Sequence, residues 1–188
     1  ARASMDRIDA LLNHEVEIKD SNDVITDHEI KGEITFNNLS FTYPKGNREV
    51  LTDISLTIPK GTSIGLIGRT GCGKSTLVNL LLRIYNIEEN SILLDGQDIM
   101  KLPIKQVRDA ISYVPQDNFL FSDTIANNIG FSKTEISMDD VRRASIASDV
   151  DENIMEFNNQ YETVLGERGV TVSGGQKQRI SIARALMK

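Results

Sequence analysis

The clearest chemistry in the chain lies in Gly68-Arg69-Thr70-Gly71-Cys72-Gly73-Lys74-Ser75-Thr76. The spacing is G-x-x-x-x-G-K-[ST], the pattern of a loop that holds phosphate. Glycine at 68, 71 and 73 keeps side chains clear of the backbone amides and permits positive φ, so an anion can come close to N–H groups. The Lys74 ammonium reaches the β and γ phosphates of a nucleotide. The Ser75 hydroxyl suits Mg2+, a hard cation that prefers oxygen. Cys72 stands at a variable position of the pattern and reads as an inert small side chain.

A second glycine turn, Val172-Ser173-Gly174-Gly175-Gln176-Lys177-Gln178-Arg179, opens the last apolar stripe of the chain. Exposed amides and a hydroxyl at a helix start attract an anion. Residues 168–188 hold basic side chains and no acidic one.

The elements around these turns follow from hydrophobic period. Ser63-Ile64-Gly65-Leu66-Ile67 reads as a buried strand feeding the first loop, and residues 77–82 as the body of the helix after it. Before them, Ile34, Phe36, Phe41 and Tyr43, then Ile54, Leu56 and Ile58, alternate as strands of a small antiparallel sheet. Asn37-Asn38 marks a bend, and Pro44-Lys45-Gly46-Asn47 and Pro59-Lys60-Gly61 mark turns. Residues 91–94 form a strand ending at the Asp95-Gly96 hairpin signal. Residues 102–110 form a helix with Pro103 near its start, and 111–114 a further strand. Ser137 and Asp140 resemble a capping box, residues 154–157 a short helix, and residues 176–187 a longer one. Residues 1–13 place Met5, Ile8, Leu11 and Leu12 at helical spacing. Residues 14–31 read as an acid-rich, solvated linker, and its His14 and His28 form no metal cluster.

With 188 residues, 39% of them apolar, the chain can bury an α/β core. A net charge of −6 argues against nucleic acid as a partner. One cysteine excludes an internal disulfide and fits the cytoplasm. No apolar run approaches the ~20 residues of a membrane span. The absence of an initiating Met is compatible with a piece of a longer protein.

The two glycine turns together resemble the ABC ATPases, whose signature is LSGGQ; Val172 stands in place of the usual leucine. Tyr113-Val114-Pro115-Gln116-Asp117 is similar to that family's Q-loop, and Phe41-Thr42-Tyr43 to its A-loop. Residues 119–129 and Leu165-Gly166-Glu167-Arg168-Gly169 resemble the segments that follow in ATP-binding domains of ABC exporters. The resemblance implies an α/β fold, a P-loop NTPase core of ABC type. That is a mixed sheet with an antiparallel β subdomain plus a helical subdomain, here with its C-terminal part missing. It implies a transmembrane-helix end and junction over 1–13, a linker over 14–31, and an incomplete ATP-binding domain over 32–188, with the helical subdomain at about 117–172.

The resemblance also implies roles. Tyr43 would stack on adenine with Val50 nearby. Gly68, Arg69, Thr70, Gly71, Cys72, Gly73, Lys74, Ser75 and Thr76 would hold the phosphates of ATP. Ser75 and Gln116 would contact Mg2+. Ser173, Gly174, Gly175 and Gln176 would close over ATP held by a second ATP-binding domain in a head-to-tail dimer, driving transmembrane domains at the cytoplasmic face of the plasma membrane. The family's Asp-Glu pair after the signature helix, and its switch histidine, do not occur in these residues, so no catalytic residue is assigned. The alternatives are a nucleotide-binding or regulatory module, a soluble ABC ATPase and a generic P-loop kinase.

Overall fold

Alternation from Ile34 onward folds as a four-stranded sheet in the first of two units, Ala1–Ile111. β1 (Ile34–Thr42) pairs with β2 (Glu49–Ile58) on one side and β3 (Ile92–Leu94) on the other, and β4 (Gln97–Asp98) extends the edge in the order β2-β1-β3-β4. Every pairing is antiparallel. The structure describes residues 5, 7–9, 12–13, 16–166 and 171–188.

Phe36 and Leu39 have opposite parity, yet both are buried. Asn38, at φ 44°, inserts a bulge that shifts the register between them and returns the apolar set to one face. The expected bend is therefore a bulge inside one continuous strand. That face packs on Leu77 and Leu80 of α1 (Lys74–Leu81), with Ile99, Leu102 and Val107 closing the core. The turns obey their residues. Asp95 (φ 49°) and Gly96 (φ 79°) join β3 to β4 with the paired positive φ of a tight hairpin. Gly46 N–H donates to Tyr43 O at 2.8 Å across the Pro44 turn. α2 (Ile104–Ala110) starts after Pro103, and Arg108 on it donates to the carbonyls of Leu82 (3.0 Å) and Arg83 (2.9 Å), satisfying the C-terminal end of α1.

Two expected strands do not form. Residues 63–67 and 111–114 are extended chain without a ladder, and Ile67 is 100% exposed. A strand is defined by its backbone partners, and among the described residues no neighbouring strand offers them to either segment. The parallel strands expected in a mixed sheet are thus absent from the described residues.

The acid-rich segment before β1 keeps most of its side chains in solvent, as expected, yet hydrogen bonds tie it to the unit as a strap. Asp20 Oδ1 accepts the Ile104 N–H at 2.7 Å, capping α2 from outside the helix. Ile25 N–H donates to Lys101 O at 2.8 Å, and His28 Nε2 bonds Leu94 O at 2.9 Å. The Asp95 carboxylate accepts the N–H groups of Lys31 (2.6 Å), Gly32 (3.0 Å) and Glu33 (3.2 Å). Burial acts to raise the Asp95 pKa, but these amides and the nearby His28 outweigh it and hold the carboxyl below its usual range. A depressed carboxyl stabilises the fold above its unfolded pKa of ~3.9 and stops doing so as pH falls through its folded value. Asp95→Asn is therefore expected to lose protection of the Lys31, Gly32 and Glu33 amides at neutral pH. In the native chain hydrogen exchange should show that loss only below pH ~4.

Of the expected N-terminal helix, Met5, Arg7, Ile8, Asp9 and Leu12 are helical, and Asn13 N–H donates to Asp9 O at 2.9 Å. The rest of it, with Leu11 and His14, lies outside the described residues, as do Glu167, Arg168 and Gly169.

The second unit, Ser112–Lys188, is helical. It contains α3 (Ile125–Ile129), α4 (Met138–Ala147), α5 (Asp151–Met155) and α6 (Gly174–Leu186). Ile125, Ile129, Val141, Ile154, Leu165, Ile180 and Ala183 form its core, against which Val172 packs. Ser137 caps α4 by accepting Asp140 N–H at 3.5 Å, half of the expected box. α5 begins three residues before the expected 154–157 helix, and Phe157 instead packs on the core beyond it.

Candidate functional site

The phosphate-type loop sits where β2 and α1 meet. Gly73 is the residue before α1, at φ 93°. A Cβ there would come within 2.7 Å of Leu51 Cδ2 and 3.1 Å of the Val50 carbonyl, so glycine is required both for the conformation and for the seat on β2. Gly71, at φ 81°, makes the preceding turn. The first bond of α1 runs from Leu77 N–H to Gly73 O at 3.0 Å. The helix has no side-chain cap and no acidic residue in its first turn. The N–H groups of Lys74, Ser75 and Thr76 therefore lack intrahelical acceptors at the positive end of the helix dipole.

Lys74 is folded over this loop. Its Nζ donates to Gly68 O at 2.8 Å and Arg69 O at 2.9 Å, and lies 3.5 Å from Cys72 Sγ. An ammonium has three donors; two are held by carbonyls and the third makes only the long, weak contact to sulfur, the one most readily exchanged for a phosphate oxygen. Ser75, Arg69, Thr70 and Cys72 are exposed; Thr76 is buried. Tyr43 reaches the same place from the end of β1, its hydroxyl 2.7 Å from Thr76 Oγ1. The first unit thus gathers Tyr43, Val50 and residues 68–76 around one helix start.

The second unit holds the other turn. Ser173 Oγ accepts Gln176 N–H at 3.2 Å, and Gln176 Oε1 accepts Ser173 N–H at 2.9 Å. This is a reciprocal capping box, which the S-x-x-Q spacing encodes and which reading the turn only as anion contacts misses. It fixes Ser173 at the exposed start of α6 and leaves the Gly174 and Gly175 amides without intrahelical acceptors. The basic run behind it is partly structural. Arg179 Nη2 donates to Asn153 Oδ1 at 2.9 Å. Arg184 donates to Asn128 O (2.7 Å), Phe119 O (2.9 Å) and Asn128 Oδ1 (3.0 Å), and burial lowers its pKa. Its guanidinium also lies 5.6 Å from the centre of the Phe121 ring. Gln116 is exposed on the irregular segment before α3.

Asn128 is the residue sequence reasoning overlooked. It is 1% exposed. Its Nδ2 donates to Phe121 O, Asp123 O and Thr124 O, and its Oδ1 accepts Phe121 N–H at 2.8 Å. One buried amide thereby holds the backbone of Phe121, Asp123 and Thr124, while Arg184 holds Phe119.

Comparison with known proteins agrees with this arrangement. The family model described as ABC transporter matches residues 51–188. The putative multidrug export ATP-binding/permease protein YgaD of Bacillus subtilis is 42% identical over 99% of this chain, and the match covers 32% of the relative. The ATP-binding cassette sub-family B member 6 of Xenopus tropicalis is 42% identical over 98% of the chain and 22% of its own length. Among solved structures, a bacterial Atm1-family ABC exporter with ATP bound superposes with a TM-score of 0.89 at 35% identity, over 98% of this chain and 32% of that one. The chain spans about a third or less of these relatives. Its fold is the α/β core of an ABC ATPase, and it belongs to the ABC transporter family, matching the ATP-binding domain of that family's exporters.

Proposed function

We propose that the chain binds Mg-ATP at residues 68–76 and drives export across a membrane as one half of a head-to-tail pair of ATP-binding domains. The observation that carries this is the uncapped start of α1, with its free amides, and the Lys74 ammonium laid across the same loop. Amides and ammonium neutralise phosphate oxygens, and the Tyr43 ring takes the adenine face. The exposed Ser75 hydroxyl is a hard oxygen donor suited to Mg2+, and Gln116, in the second unit, carries a side-chain oxygen of the same kind. When bound, the ion screens the charge of the β and γ phosphates. Ser173, Gly174 and Gly175 close on the ATP of the opposite domain, with Gln176 holding Ser173 in place. Transmembrane domains are the other partner, and the pair works at the cytoplasmic face of the membrane. Among the described residues no helix is long and apolar enough to cross a membrane.

Hydrolysis needs, besides a bound nucleotide, a group that activates water, and none is assigned among the described residues. General base assistance is worth ~10²–10⁴-fold. The expected result is Mg-ATP binding by these 188 residues with phosphate release near background, because no water-activating group is assigned among the described residues. No ATP binding by the chain would refute the proposal, and brisk phosphate release by it would refute the absence of a water-activating group.

A further inference from the structure

Tyr43 is held at three points. Its ring meets Phe41 edge-on at 5.1 Å and 80°, and Tyr85 at 5.2 Å and 81°. Phe41 and Tyr85 contact each other at 5.6 Å, closing a triangle of rings. The two ring contacts limit the tilt of Tyr43 but leave its tip to slide along the surface of the cluster. The third contact is the hydroxyl, 2.7 Å from Thr76 Oγ1. Thr76 is 5% exposed and lies on the first turn of α1. Thr has two χ1 wells in a helix, and burial together with the 2.7 Å contact to Tyr43 selects the one seen here, so its oxygen is an anchored partner for the ring.

We infer that Thr76 is a positioning residue for Tyr43, setting through this hydroxyl pair where the ring meets the base of the nucleotide. The inference rests on the proposed ATP site, and it assigns Thr76 a task separate from the phosphates. A ring tied to the first turn of the helix is registered to the phosphate loop itself, so base and phosphate subsites keep a constant spacing. Without the tie, the ring still packs on Phe41 and Tyr85, but each binding event must order it. The loss falls on ligands with a base and spares those without one.

The test displaces a fluorescent ATP analogue with ATP or with inorganic tripolyphosphate. Thr76→Val keeps the shape of the side chain and removes the hydroxyl. The Thr76 amide, the group that faces the phosphates, is kept, so the variant should weaken ATP about fivefold, the range of one net hydrogen bond, and weaken tripolyphosphate by less than about twofold, roughly the scatter of such titrations. Tyr43→Phe, which keeps the ring, should show the same loss. The double variant should be no worse than either single one, and Thr76→Ser should restore affinity. Equal weakening of both ligands by Thr76→Val, or additive losses in the double variant, would overturn the inference while leaving the ATP site intact. Failure of the unaltered chain to bind either ligand would instead remove the site itself. Tyr43→Phe sits on a half-buried side chain, so it keeps the test open should Thr76→Val fold poorly.

Discussion

Lys74→Ala is expected to weaken Mg-ATP binding about 100-fold, measured by isothermal titration calorimetry, with little change in thermal stability. A hydrogen bond to a charged group contributes ~1.5–3 kcal/mol, and each 1.4 kcal/mol is a factor of about ten in affinity. Loss of two such contacts to phosphate therefore gives about two orders of magnitude. The small effect on stability follows from the site. In the free chain Lys74 bonds two carbonyls of an exposed loop, which water can serve when the ammonium is gone. Binding requires the ammonium to exchange loop contacts for phosphate oxygens, and the long contact to Cys72 Sγ is the weakest of them. An affinity within threefold of the unaltered chain, on the order of measurement scatter, would show that the loop is not the phosphate site.

The second large effect is on stability. Asn128→Ala should destabilise the helical unit by about 3 kcal/mol. A buried group left without its partner costs ~1–3 kcal/mol. Here the Phe121 N–H, three carbonyls and one donor of Arg184 depend on the same amide. Their costs do not add, since water reaches some of them once the amide is gone. Hydrogen exchange should localise the damage: faster opening of α3 and α6, with β1 and β2 amides unaffected. Arg184→Ala should cause a smaller loss of the same kind, because Asn128 keeps its backbone bonds. A change below ~1 kcal/mol for Asn128→Ala, the worth of a single ordinary hydrogen bond, would mean the 119–124 segment is held by something else.

What could be read from the sequence was what a few adjacent residues dictate. Gly73 and Gly71 announce positive φ, Asp95-Gly96 announces a hairpin, and Lys74 and Ser75 follow at fixed offsets. The family resemblance then placed Tyr43 and Val50, which the fold brings to the loop. What could not be read depends on partners far away in the chain. Ser63-Ile64-Gly65-Leu66-Ile67 has the composition of a strand, but strand identity is conferred by neighbours. Asp20 and Asp23 carry the signature of solvated surface, yet Asp20 caps a helix 84 residues later. Asn127 and Asn128 are alike in sequence; one is exposed and the other is the centre of a network. The Ser173 to Gln176 spacing was legible as a capping box by elementary rules, and the attraction of an anion-binding explanation hid it.

The strap over the first unit has a mechanical consequence. A pull applied ahead of residue 16 meets its fastenings in series: Glu17 on Asn86, Asp20 on the start of α2, Ile25 on Lys101, His28 on Leu94, and last the three amides gripped by Asp95. Such a seam peels one fastening at a time under slow tension. The triple grip at its end bears load together, as a rivet does. Tension on the strap is thus taken up at Asn86, Lys101, the head of α2 and the β3–β4 hairpin, and none of these fastenings lies on the loop that carries Lys74.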